Sequence, residues 1–316
     1  MTPKLRAWLL VLMVTAVCGA SLGGLTWYRS RALTVPNMLR RMPLQDALVA
    51  YIDFSKLRNA IVKQLPDGTK VNILQLFDGS KVSEDPEYKR FVRQTEFDYT
   101  QDLDAALVVF APAGEYMLVR GRFEWGSLKK YVQAQDGGSC NNLLCRMPGS
   151  TPERHISFLP VQSNLMALAV STDDSAALRM TETASGPGGE VPDAPIWLSI
   201  PPSALKSSSK VPEDARPFTK SLEGAESTLI EFVGEGDHFA LKLTVRCTNE
   251  QDAAGLQTDL TRITNALAQN LESNHHPPSP KELAGILAGG KFTSQGRRVV
   301  GHWAIDKAFL ESILAG

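Results

Sequence analysis

Two segments of this 316-residue chain align with each other without gaps. Asp104–Glu124 reads DAALVVFAPAGEYMLVRGRFE, and Glu226–Arg246 reads ESTLIEFVGEGDHFALKLTVR. In the second part of each segment, apolar and polar residues alternate in the same phase, which indicates a β-strand with one buried and one exposed face. Because a slip of one residue would reverse every side chain, a shared phase is stronger support for a shared fold than shared composition. Each segment is therefore predicted to be a β-hairpin, turning at Gly114 in the first copy and at Gly236 in the second.

The elements around the two hairpins follow the same order. A short strand and a helix precede each hairpin, and a helix, two strands and a further helix follow it. This order predicts an α+β fold made of two tandem repeats of a mostly antiparallel sheet with helices on one face. The first repeat is assigned to residues 44–185 and the second to residues 196–316. The Gly- and Pro-rich stretch 186–195 between them is predicted to be a linker.

The N-terminus contains the one long apolar stretch, residues 7–28, which carries no charge. About 20 helical residues cross a hydrocarbon core of roughly 30 Å. Residues 1–31 are therefore predicted to be a membrane anchor with a single transmembrane helix. Two alternatives stay open, a signal peptide cleaved after Ala20 and a lipoprotein site at Cys18.

The orientation of the anchor rests on two opposing arguments. The arginines after the apolar stretch outnumber the basic residues before it, which favours a cytoplasmic body. Large domains cross membranes largely regardless of flanking charge, however, and the cysteine pattern favours an oxidising compartment. The chain is predicted to be a single-pass protein of the cytoplasmic membrane with an extracytoplasmic, periplasmic body.

A pair of cysteines, Cys140 and Cys145, lies in the segment GGSCNNLLCRMPG. The flanking glycines and proline indicate a loop, and the spacing is not that of a zinc knuckle or a redox CxxC motif. The two residues are therefore predicted to form a disulfide. The alternative is a pair of unbonded thiols in a cytoplasmic loop.

Charge and motifs exclude several classes of function. Basic and acidic residues number 33 and 34, so no strong field would attract nucleic acid, and no nucleic-acid partner is predicted. The chain has no HExxH, EF-hand, P-loop or dinucleotide-binding pattern, so no catalytic residue, metal site or cofactor is predicted. The alternative is an extracytoplasmic hydrolase with an unrecognised site that pairs His155 or His238 with a carboxylate.

The first repeat contains an insertion, residues 66–86, that the second repeat lacks. Its apolar residues are Ile73, Leu74, Leu76 and Phe77. Loops carry function disproportionately, which makes these four residues candidates for an interaction with a partner. The alternative is that the insertion is a helix or strand packed on its own repeat.

The order of these motifs resembles a family of uncharacterised bacterial membrane-anchored envelope proteins. The resemblance rests on the apolar anchor, the strand YIDFSKLR, the segment GRFEWGSLKKY, the cysteine loop and the strand ERHISFLP. It implies a bacterial origin and a shared architecture, and it transfers no catalytic residue. The predicted function is a membrane-tethered binding or structural module that contacts a protein or another envelope component. A cleft for an apolar ligand between the two repeats is a further possibility.

Overall fold

The computed structural model describes residues 33–64, 85–182, 191–206, 215–236, 238–273, 279, 282–306 and 309, and the side chains of all of these except 60–64. Within these ranges the chain forms one sheet of 12 strands with helices packed on it. The strands are β1 (Leu48–Asp53), β2 (Leu103–Ala111), β3 (Gly114–Gly121), β4 (Ser139–Asn141), β5 (Leu144–Pro148), β6 (His155–Gln162), β7 (Leu165–Ser171), β8 (Ile196–Ile200), β9 (Ser227–Glu235), β10 (His238–Arg246), β11 (Lys291–Gln295) and β12 (Arg298–Ile305).

The described helices are short, apart from one of 24 residues. They are α1 (Val35–Leu39), α2 (Phe54–Gln64), α3 (Pro86–Thr95), α4 (Tyr99–Asp102), α5 (Trp125–Gln133), a 3-10 helix (Ala176–Thr181), α6 (Pro202–Leu205), α7 (Arg216–Ser221), α8 (Glu250–Ser273) and α9 (Leu283–Leu287). None of them is both long enough and apolar enough to cross a membrane. The predicted anchor, residues 1–31, lies outside the described residues. The same is true of the interaction candidates Ile73, Leu74, Leu76 and Phe77.

Every neighbouring pair of strands in the sheet is antiparallel, in the order β11-β12-β10-β9-β8-β1-β2-β3-β7-β6-β5-β4. The predicted α+β class with a mostly antiparallel sheet is confirmed. The two halves of the chain do not form separate sheets, because β1 pairs with β8, with Tyr51 opposite Trp197. This strand pair joins the two halves near the middle of the sheet.

From that pair outward, the two halves follow the same connectivity. In the first half β1, β2 and β3 are followed by β7 and then by β6. In the second half β8, β9 and β10 are followed by β12 and then by β11. The first half differs by one additional hairpin, β4–β5, which extends its outer edge.

The two aligned hairpins do not turn at the same position. The second turns at Gly236, between the paired residues Glu235 and His238, as predicted. The first turns at Pro112 and Ala113, and Gly114 is already paired with Ala111 in the strand ladder. The predicted turn at Gly114 is therefore wrong.

Gly114 has a different role, in the contact between β3 and β7. Its φ is +147°, and a Cβ added to it would lie 2.6 Å from the carbonyl oxygen of Val170. Glycine is needed there for backbone conformation and close approach, not for a turn. The sequence pattern, a glycine between two strands, is the same in both hairpins. The register of β2 with β3, and of β3 with β7, distinguishes Gly114 from Gly236.

The side chains divide between the two faces of the sheet in alternation. On β2, Ala106 belongs to one buried cluster and its neighbour Leu107 to another. The face of Ala106, termed the helical face, carries α7, α8 and α9 in the second half of the sheet and α3 and α5 in the first half. The face of Leu107, termed the reverse face, is covered in the first half only.

The cover of the reverse face differs from the prediction that helices lie on one face. Met38 of α1 and Met180 of the 3-10 helix are fully buried against it. Tyr116 and Leu118 of β3 are consequently buried beneath them, although alternation along this strand predicts the phase of Leu118 to be exposed. That prediction is wrong because a second layer packs on this face of the sheet. In the second half, no described helix contributes to a buried cluster on the reverse face.

Candidate functional site

A cleft opens on the reverse face at the edge of this cover and crosses the junction of the two halves of the sheet. Its volume is about 670 Å³, within the roughly 300–1,000 Å³ typical of small-molecule sites. It extends from Val49 on β1 across β8, β9 and β10 to Arg298 on β12. These four strand-to-strand steps amount to roughly 19 Å at about 4.8 Å each. This cavity is termed the junction cleft.

One end of the junction cleft is apolar. Leu39 is the last residue of α1, Leu44 follows that helix, and Val191 precedes β8. Together these three side chains form a wall above the sheet. Leu44 is 45% exposed, which is high for a leucine beside a hydrophobic cluster. The ring of Trp197 lines the sheet side of this end and stacks on Tyr51. The indole N–H of Trp197 is buried and has no acceptor among the described residues.

The other end of the junction cleft is cationic. Arg246 on β10 and Arg298 on β12 are directly opposite each other in the register of the two strands. The Nε of Arg246 is 3.6 Å from a carboxylate oxygen of Glu226, and the same oxygen is 3.7 Å from a guanidinium nitrogen of Arg297. One carboxylate is therefore shared by two arginines, and the side chain of Arg298 has no ion pair or hydrogen bond with any described residue.

The acidic residue of the junction cleft is Glu231, which lies opposite Trp197 on one side and Lys242 on the other. Burial raises the pKa of its carboxyl group, and the charge of Lys242 acts in the opposite direction with a smaller effect. The protonated form of Glu231 is therefore more favoured than that of an ordinary surface glutamate.

Beyond the cleft, the reverse face of the second half carries an ion-pair cluster. A carboxylate oxygen of Glu235 is 2.6 Å from Nζ of Lys242, and the other oxygen is 3.0 Å from Nε2 of His302. His238 is farther away, at 3.9 Å. Hydrogen bonds from Lys242 and His302 lower the pKa of Glu235 to about 2. The exposed residue Ala304 completes this surface, which is termed the open face and comprises Val233, Glu235, Lys242, Val300, His302 and Ala304.

The predicted disulfide is present, with an S–S distance of 2.01 Å between Cys140 and Cys145. The segment around it is more regular than the predicted loop. The two cysteines face each other across the hairpin formed by β4 and β5, at the outer edge of the first half. Cys145 is fully buried against α5 and β6, so the disulfide fixes the edge strand to a packed strand.

The two histidines of the hydrolase alternative do not come together. His155 is on β6 and His238 is on β10, seven strand steps apart in the sheet and so on the order of 30 Å from each other. His238 does have the carboxylate of Glu235 nearby, on an open surface. Across the described ranges, no three or more His, Cys, Asp or Glu side chains are grouped so that they could hold a metal ion.

The sequence alone does not predict the junction cleft. Alternation on β10 does place Arg246 on an exposed face, but its position opposite Arg298 follows from the pairing of β10 with β12, more than 40 residues later in the chain. The apolar wall comes from the other half of the protein. Predicting this site would have required the order of the strands in the sheet, which local sequence patterns do not give.

Comparisons with known proteins give no family. No family model matches the chain, and no curated protein matches it. Solved structures of TP0453 are similar: crystal form I has 11% identity and a TM-score of 0.49, covering 90% of this chain and 98% of that chain. Crystal form III has 10% identity and a TM-score of 0.45, covering 85% and 93%. Similarity at this level supports no conclusion about function.

Proposed function

We propose that the protein is a membrane-tethered, extracytoplasmic binding or structural module that acts through contacts with a partner protein or another envelope component. The observation that carries this proposal is the open face. The helical face and half of the reverse face carry helices, whereas the open face has polar and apolar side chains with no described helix packed on it. A surface with both kinds of side chain is typical of the interfaces of separate proteins.

The tether is the apolar segment of residues 7–28, whose length fits one crossing of a bilayer. The disulfide between Cys140 and Cys145 supports a body outside the cytoplasm, because disulfides persist in oxidising compartments and are rare in the cytosol. The resemblance to bacterial envelope proteins is consistent with both points.

The body is proposed to consist of two copies of one folding unit, residues 44–185 and 196–316, joined by residues 186–195. The shared strand order supports this duplication. A second support comes from the hairpins. Leu107 is opposite Leu118, whereas the aligned Leu229 is opposite Thr244, so the registers differ by an even number of residues. An even shift keeps every side chain on its face, which a duplicated unit would tolerate.

Position-specific photo-crosslinking in intact cells tests the binding role. A photoreactive amino acid replaces Ala304 on the open face or, as the matched control, the exposed Ala254 on α8. We expect a discrete adduct from position 304 and not from position 254. Equal adducts from both positions, or none from position 304, would contradict a partner on the open face.

Thiol labelling of intact cells with a membrane-impermeant reagent tests the orientation. Cys140 and Cys145 are expected to react only after reductant is added. Cys247 is buried and serves as an internal background. Labelling that needs cell lysis but no reductant would place the body in the cytoplasm and would remove that part of the proposal.

The hydrolase alternative has less support: His238 has the carboxylate of Glu235 nearby, but neither His155 nor His238 lines the junction cleft.

A further inference from the structure

We propose that the junction cleft binds a small anionic amphiphile, a molecule with a carboxylate or phosphate group at one end of an apolar body. This site goes beyond the binding of a partner by the open face and does not depend on it. Three features of the cleft lead to the proposal: its cationic end, its apolar end and the distance between them.

The cationic end lacks the counter-charge that its arginines need. Like charges directly opposite each other in an antiparallel sheet are destabilising, and Arg246 and Arg298 have that arrangement. Glu226 is shared between Arg246 and Arg297 at 3.6 and 3.7 Å, which leaves Arg298 without a carboxylate among the described residues. An anion between the two opposed guanidinium groups would accept hydrogen bonds from both, in the manner of carboxylate and phosphate sites.

The apolar end leaves hydrophobic surface in contact with water. Leu44 is nearly half exposed, although the neighbouring Leu39 and Ala47 are buried. Val49, Val191 and Leu229 line the same end. The hydrophobic effect favours covering such a surface, and an apolar body of a ligand would do so.

The two ends are separated along the cleft, which determines the shape of the ligand. Val49 is on β1 and Arg298 is on β12, roughly 19 Å apart by strand spacing. A free phosphate ion would leave the apolar end exposed to water. An uncharged hydrocarbon would leave Arg246 and Arg298 without a counter-charge between them. A molecule with its charge at one end satisfies both regions.

Glu231 is the acid in the cleft, and it lies between the two ends. Its carboxylate would repel an anionic ligand, but burial raises its pKa, which weakens that repulsion. Lys242, which lies opposite Glu231 in the strand register, has its own charge paired with Glu235 and does not line the cleft.

Equilibrium dialysis of the full-length protein in nanodiscs of zwitterionic lipid tests the proposal, with binding to empty nanodiscs subtracted. The three probes are octanoate, which has both parts, octanol, which has only the chain, and acetate, which has only the charge. We expect saturable binding of octanoate and much weaker binding of the other two probes.

Substitutions distinguish the cleft from non-specific uptake. Arg298→Gln removes a guanidinium group that has no described partner, so folding should be unaffected, and octanoate binding should weaken by about tenfold or more. Arg262→Gln, on the exposed side of α8, is the matched control and should bind as the wild type does. Leu44→Ser should weaken octanoate binding and leave acetate binding unchanged.

Three results would overturn the proposal. Octanol binding as tightly as octanoate would exclude a role for the arginines. Equal effects of Arg298→Gln and Arg262→Gln would indicate a general charge effect. Octanoate uptake no greater than that of empty nanodiscs would exclude the site. None of these results would change the crosslinking expected at Ala304, so failure here and failure of the partner-binding proposal can be told apart.

Discussion

The rings of Tyr51 and Trp197 stack across the strand pair that joins the two halves of the protein, with their centroids 5.7 Å apart and their planes at 26°. The two residues are direct neighbours in the register of β1 and β8, and both are at most 5% exposed. This ring pair therefore lies near the middle of the sheet, between the covered half of the reverse face and the junction cleft.

Truncation of this pair should destabilise the whole sheet. We expect Trp197→Ala to lower the free energy of unfolding by about 3–5 kcal/mol, since a large buried ring is lost and a cavity remains. Trp197→Phe keeps a stacked ring and removes an N–H that has no acceptor among the described residues, so its cost should stay below about 1.5 kcal/mol. Urea unfolding followed by circular dichroism measures both. Equal costs for the two variants would show that the ring contact matters less than we infer.

Gly114 should not tolerate a side chain. Alanine at φ +147° is strained, and its Cβ would lie 2.6 Å from the carbonyl oxygen of Val170. We expect Gly114→Ala to cost about 1–3 kcal/mol of unfolding free energy. The control is Gly126→Ala in α5, where a Cβ meets no atom within 4 Å and should stabilise the helix by about 0.5–1 kcal/mol. Opposite signs of the two changes are the expected outcome, and a neutral Gly114→Ala would contradict the close approach of β3 and β7.

The carboxyl group of Glu235 should titrate at unusually low pH. Lys242 and His302 lower its pKa to about 2 from an ordinary value of 4.5. Because the pKa of the folded state is below that of the unfolded state, the stabilisation is present above about pH 4.5 and is lost as the pH falls through about 2.

Carboxyl NMR titration of Glu235 checks that value. Lys242→Met removes the strongest hydrogen-bond donor, so the pKa of Glu235 should rise towards its ordinary value. Lys220→Met on α7 is the control and should leave it unchanged. A pKa that does not respond to Lys242→Met would mean that the ion pair does not persist in solution.

Loss of the disulfide should act on one edge of the sheet. A bond that closes so short a loop stabilises by about 2 kcal/mol. We expect Cys140→Ala/Cys145→Ala to speed hydrogen exchange in β4, because this edge strand pairs only with β5 in the described sheet. Exchange in β9 and β10, at the other side of the sheet, should be unchanged and serves as the internal control. Unaltered exchange in β4 would indicate that pairing with β5 suffices without the disulfide.

Local patterns in the sequence determined much of the secondary structure. Alternation along residues 238–246 predicted a strand with Phe239, Leu241, Leu243 and Val245 on its buried side; three of the four are buried, and Leu241 packs against the same cluster while partly exposed. Leu256 and Leu260 are four residues apart, which is the spacing of one helix face, and both are buried in α8. Such patterns are readable because each depends only on neighbours in the chain, with a period of two residues for a strand and 3.6 for a helix.

Long-range pairing decided the rest. Three features depend on segments that are far apart in the sequence. They are the close approach of Gly114 to β7, the burial of Tyr116 beneath the 3-10 helix, and the pairing of Arg246 opposite Arg298. The sequence shows which side chains share a face, because alternation is a local property. It does not show what packs on that face, because any apolar partner of the right shape would satisfy the same alternation. The junction cleft depends on this tertiary packing and not on the local alternation.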